Sequence, residues 1–135
     1  MGYTTQFLGA INVEPPFNAQ EIQFLKEFIK NDNIYPDTNR NLSYLQWTTF
    51  DGKSLEWDKN EKFYDAAEWM SYLIFHFFGA NPIAKINSPE KFSFLQGHRL
   101  NGKIEAQGEE VKDKWDLIVE NNVLSIIYYN FYETD

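Results

Sequence analysis

A chain of 135 residues with no cysteine and only two histidines offers few starting points for chemistry. Thiolate nucleophiles, Cys zinc sites and disulfide frameworks are all excluded, and an uncrosslinked chain of this size suits a reducing compartment. His76 stands between Phe75 and Phe77, where a solvated or helix-end imidazole is the ordinary reading and a general base the sharper one. His98, in Gly97-His98-Arg99, could face solvent or a cleft. No His-x-x-x-His or His-Glu-x-x-His spacing is present, so no metal site is expected. There is no Gly-x-Ser-x-Gly elbow, and Gly9, Gly52, Gly79, Gly97, Gly102 and Gly108 are too scattered to cradle a phosphate. No catalytic residue, metal or cofactor is therefore expected. An enzyme would need His76 or His98 within hydrogen-bond reach of a carboxylate in a cleft.

Carboxylates are abundant. Twenty Asp and Glu against twelve Lys and Arg give a net charge of -8, which repels phosphate backbones and argues against nucleic acid as a partner. One group of acids runs from Asp51 to Glu68 and another from Glu105 to Glu120. Within the first, Glu61, Asp65 and Glu68 fall at i, i+4 and i+7, along one stripe of a helix, with Tyr64 and Tyr72 beside them. An ordinary solvated helix face is one reading. The other is a docking surface for a basic protein, built by Trp57, Glu61, Tyr64, Asp65, Glu68 and Tyr72, because rigid aromatics supply contact area and acids steer a positive surface in. A homodimer would suit the same surface. From a different class, a small-molecule or nucleotide pocket would use aromatic stacking with His98 and Arg99 on phosphate, against the opposition of the net charge.

The elements that must position these groups follow from periodicity. Tyr3 to Val13 alternates like a strand until Pro15 and Pro16 stop it. Asn18 with Glu21 forms a capping box, Phe17 and Ile22 a hydrophobic staple, and Ile22, Leu25, Phe28 and Ile29 one helical stripe. The stretch 31–43 is rich in turn formers and reads as a loop. Strands over Tyr44 to Phe50 and Ser54 to Trp57 meet at an Asp51-Gly52 turn. Phe63, Ala66, Ala67, Met70, Leu73, Ile74 and Phe77 predict a second helix, capped by Asp58 and Glu61 and ended by a left-handed Gly79. Its other side, with Tyr64, Trp69, Tyr72, Phe75 and Phe78, is either covered by a second layer or a contact surface. Asn101-Gly102 predicts a hairpin between Phe92–Leu100 and Lys103–Gln107, and Asn121-Asn122 a second hairpin between Trp115–Glu120 and Val123–Phe131. The sum is a single α+β domain over 1–135, two helices packed on one antiparallel sheet of six to seven strands, in the order β-α-β-β-α-β-β-β-β. The segment Met1 to Val13 has no basic, apolar signal-peptide character and no run reaches about 20 apolar residues, so a cytoplasmic protein off the membrane is expected.

Three ordered motifs carry a resemblance. Met1-Gly2-Tyr3-Thr4-Thr5 with Phe7 and Gly9, Leu55-Glu56-Trp57-Asp58 with Glu61-Lys62-Phe63-Tyr64 and Glu68-Trp69, and Leu100-Asn101-Gly102 with Ala106-Gln107-Gly108-Glu109 resemble a family of small uncharacterised proteins of phages and bacterial genomes. The resemblance implies a small accessory or counter-defence protein that inhibits a host protein by binding it. It carries over no functional residue. The Asn-rich stretch 31–41 departs from that family in lacking a basic pair.

Overall fold

A computed structural model of the chain describes residues 3–30, 44–61 and 63–129. In chain order it contains β1 (Gln6–Glu14), α1 (Ala19–Lys30), β2 (Trp47–Thr48), β3 (Ser54–Trp57), α2 (Ala66–Leu73) running on as a π-helical turn (Ile74–Phe78), α3 (Ile83–Asn87), β4 (Arg99–Gln107), β5 (Lys114–Glu120) and β6 (Val123–Tyr128). The six strands form one open antiparallel sheet in the order β2-β3-β1-β4-β5-β6. The class is α+β, as the periodicity implied. Among the described residues no helix is long and apolar enough to cross a membrane. The loop expected over 31–43 and the end of the last strand at Phe131 lie outside the described residues.

Alternation decides which face of the sheet is buried. On β1, Phe7, Ile11 and Val13 are buried while Gln6, Leu8, Asn12 and Glu14 are exposed. Leu55, Leu100, Ile104, Ala106, Leu117 and Val119 join the same buried layer, and Leu25, Phe28, Trp69, Met70, Leu73 and Phe77 from the helices complete one core. Burying each large side chain there contributes about 1.5–3 kcal/mol.

Two hairpins form where the turn residues placed them. Gly52 has φ 76° and donates its N–H to Thr49 Oγ1 at 2.9 Å, and Trp47 pairs with Trp57. Asn121 and Asn122 take φ 49° and 71°, the pair of left-handed residues that closes a two-residue turn.

The hairpin expected at Asn101-Gly102 does not exist. Both residues lie inside β4, which runs against β1 through nine pairs from Gln6–Gln107 to Glu14–Arg99. A ladder of that length outweighs a local turn preference. Gly102 instead permits close approach: its φ is 155°, and a Cβ would stand 2.5 Å from the Ala10 carbonyl oxygen. Residues 92–98, expected as the first strand of that hairpin, follow α3 as tight turns, with the Phe92 N–H on the Ser88 carbonyl and the Leu95 N–H on the Phe92 carbonyl. Buried Phe92 and Leu95 anchor them.

The second helix also begins later than its apolar spacing implies. Asp58 caps the Asn60 N–H at 2.9 Å, and Lys59 takes φ 73°, which no helix tolerates. Asp65 becomes the N-cap, so Glu61 and Tyr64 precede the helix. Gly79 is extended, with φ -73° and ψ -172°, and donates to the Ile74 carbonyl five residues back at 2.8 Å. A Cβ there would lie 2.6 Å from that oxygen, which is why glycine stands there without being left-handed.

Replacing Gly102 with alanine should lower the free energy of unfolding by at least about 1 kcal/mol, from backbone strain alone, in urea denaturation. An unchanged midpoint would contradict the close β1–β4 approach.

Candidate functional site

Residues expected to form one docking stripe separate into two groups. Trp57 is buried, and its indole N–H reaches Gln46 Oε1 at 3.2 Å and the Asn60 carbonyl at 3.1 Å. Tyr72 is buried too, stacked on His76 with centroids 3.9 Å apart and parallel to Phe28 at 6.2 Å. Trp69 meets Phe28 edge-on, and Phe78 packs on Phe17 at 4.7 Å. The aromatic side of α2 therefore has its second layer, supplied by α1 and the residues leading into it, as a helix apolar nearly all round requires. Because the helix starts at Ala66, Glu61 and Asp65 also share no helical stripe with Glu68. What faces water is a smaller ridge: Glu61, Tyr64 at 55% exposure, Glu68, Ser71 and Phe75 at 59%.

The histidines are built into the interior. His76, within the π turn, is buried and its Nδ1 lies 3.2 Å from the Tyr72 carbonyl. His98 has Nδ1 2.6 Å from the Pro15 carbonyl and Nε2 2.8 Å from Glu21 Oε2, with neither the imidazole nor the carboxyl group accessible. A carbonyl only accepts, so Nδ1 carries a proton, and Nε2 shares a second one with the carboxylate. Glu21 also accepts the backbone N–H groups of Asn18 at 2.9 Å and Gln96 at 3.2 Å, and the Gln96 side-chain amide at 3.4 Å.

Beside this pair lies an open cleft of about 550 Å³ lined by Glu14, Pro15, Gln96, His98, Arg99 and Asn122, among others. The distance condition for a His–carboxylate dyad is met, while the access condition is not: both ring nitrogens are engaged inside the protein. Arg99 is the exposed cation on the rim. Asn122 ties the rim to the sheet, donating its amide to the His98 carbonyl at 2.9 Å and accepting the Leu100 N–H at 2.7 Å. Among the described residues no three His, Asp or Glu side chains gather as a metal site.

Glu21, Gln96 and Asn122 escaped the sequence reading as a cluster. The capping box did single out Glu21, and the carboxylate does take the Asn18 N–H while Asn18 Oδ1 takes the Glu21 N–H at 2.7 Å. Nothing local signals that its second oxygen meets a histidine 77 positions later.

The outermost motifs meet each other. The Tyr3 hydroxyl donates to Asp113 at 2.7 Å, the Thr4 N–H reaches Glu109 at 2.6 Å, and Gly108 leaves the room this needs, since a Cβ would fall 2.1 Å from the Asp113 carboxylate. On the outer sheet face the Tyr129 hydroxyl donates to buried Asp116. That hydrogen bond, with desolvation and the charge of Asp116, holds the Tyr129 phenol above its ordinary 10.0. For Tyr3 the Glu110 N–H pulls downward, yet the bond to Asp113, desolvation and the charge of Asp113 together raise it.

No family model, curated protein or solved structure matches the chain.

Two outcomes follow from this geometry. Glu21→Ala removes one partner of a buried pair and should cost about 3–5 kcal/mol in urea denaturation, with Glu21→Gln milder. A loss below 1 kcal/mol (on the scale of an exposed pair) would show that the pair carries no such weight. In an alkaline absorbance titration Tyr3 and Tyr129 should ionise above pH 10.0. Since a raised folded-state value favours the neutral phenol, their stabilisation is complete below that pH and fades as pH climbs through the folded value. Tyr129→Phe should remove one late-titrating phenol; a titration curve identical to the parent would refute the assignment.

Proposed function

We propose that this chain is a small acidic interaction protein, non-catalytic and cytoplasmic, that docks on the basic surface of a protein partner. The exposed ridge before and along α2 carries the reading: Tyr64 and Phe75 stand in water with Glu61 and Glu68 on the same stretch of chain. Isolated exposed apolar residues are common, but rings set among acids have the make-up of an interface anchor with a charged rim. The net charge of -8 supports it by speeding encounter with a positive partner and keeping nucleic acid away. The motif resemblance to small phage and bacterial proteins adds a setting, in which the partner is a host defence protein and the outcome its inhibition.

A second reading is favoured by the cleft beside Arg99, where an anionic small molecule such as a nucleotide would meet an exposed cation on the rim. His98 would shape that site without touching the ligand.

One experiment separates the two. Glu61→Lys with Glu68→Lys, and separately Tyr64→Ala with Phe75→Ala, should change stability by no more than about 0.5 kcal/mol per exposed site. Each pair should weaken capture of the partner from host lysate by at least about tenfold. Unaltered capture by both removes the ridge. A thermal shift with nucleotides, lost in Arg99→Ala, would transfer the function to the cleft; a ligand at 100 times its dissociation constant adds about 2.7 kcal/mol.

A further inference from the structure

The sheet is open, and β6 is one of its edges. The Asn121-Asn122 turn makes Glu120 and Val123 the hydrogen-bonded closing pair of the β5–β6 hairpin, and the Tyr129 N–H still reaches the Lys114 carbonyl at 3.1 Å. In an antiparallel ladder this direction alternates strictly. Val123, Ser125, Ile127 and Tyr129 therefore bond inward to β5. The N–H and C=O groups of Leu124, Ile126 and Tyr128 point away from the sheet.

Natural edge strands are guarded by charges, prolines, bulges or shortness. β6 has none of these: it runs six residues in unbroken register with β5, and Val-Leu-Ser-Ile-Ile-Tyr-Tyr from Val123 to Tyr129 carries neither charge nor proline. The residues with outward-pointing amides are also those whose side chains continue the core layer. Leu124 and Ile126 are half-buried against the core, and Tyr128 leans on Trp115 at 6.4 Å while remaining 71% exposed. The layer stops at β6 with apolar surface left over.

We infer that β6 pairs antiparallel with β6 of a second copy of this chain, about a two-fold axis at Ile126, joining two six-stranded sheets into one of twelve. That register sets Ile126 against Ile126 and Leu124 against Tyr128, so each open amide and carbonyl finds a partner and the two core layers merge. The occupant this strand suits is a second copy. A protein at -8 repels its own copies over most of its surface, and this strand is a place where two copies meet without like charges opposed. A strand paired with itself about a two-fold is moreover self-complementary.

Sedimentation equilibrium on the full chain tests this, together with hydrogen exchange along a dilution series. The expected mass is twice 16.0 kDa at the concentrated end. The amides of Leu124, Ile126 and Tyr128 should be protected there and lose protection on dilution, while those of Ser125 and Ile127 stay protected throughout. Tyr128→Lys places cations near the axis in both copies, and Ile126→Pro removes an N–H that β5 does not use; each should raise the dimer dissociation constant by about tenfold or more. A monomer at every concentration overturns the inference. So does a dimer in which those three amides exchange freely, a result readable on the unaltered protein even if a variant folds poorly.

Discussion

The buried Glu21 carboxylate is the constraint around which one corner of the molecule is organised. Removing such a group from water costs several kcal/mol unless donors replace its hydration. Here they come from Asn18 just before α1, from Gln96 and from His98, while the far side of the His98 ring is held by the Pro15 carbonyl. Three stretches of chain must therefore arrive together: the exit from β1, the start of α1 and the entry to β4. The end of α2 is drawn to the same place, through the His98 N–H on the Gly79 carbonyl at 3.4 Å and through Phe17, which touches both the His98 ring and Phe78. A pair that looks catalytic by distance is a fastener by access.

That arrangement shapes what is left for recognition. With Trp69, Tyr72 and Phe78 committed to the interior, the acidic-aromatic surface contracts to the ridge of Glu61, Tyr64, Glu68 and Phe75. The cleft over the fastened corner and the sheet edge at β6 lie elsewhere on the fold. The ridge proposed for a partner and the edge proposed for a second copy share no residues, and a paired sheet would present two ridges at once.

Much of this was legible in the residues, wherever the relevant physics is local. The capping box of Asn18 and Glu21 and the turns at Asp51-Gly52 and Asn121-Asn122 depend on neighbours within a few positions, and each formed where expected. Asn101-Gly102 has the same local signal and failed, because β1 offered it nine partners from the other end of the chain. The start of α2 was lost to Lys59, whose left-handed backbone no apolar period could reveal. The aromatic side of α2 read equally as covered by a second layer or open for contact, and the choice, which buries Tyr72, depends on where α1 packs, while Trp57, expected on the same docking surface, is buried too. The Glu21–His98 contact, 77 positions apart, belongs to the same category.

The position of β1 has a consequence for how the chain is made. This first strand sits in the interior of the sheet, between β3 and β4, and its register with β4 matches Gln6 to Gln107. The β2–β3 hairpin rests on residues near one another in the chain, whereas one side of β1 waits for β4, whose Gln107 matches Gln6. Closing so wide a loop is slow, which makes the β1–β4 ladder a late step in folding and the one that completes the middle of the sheet.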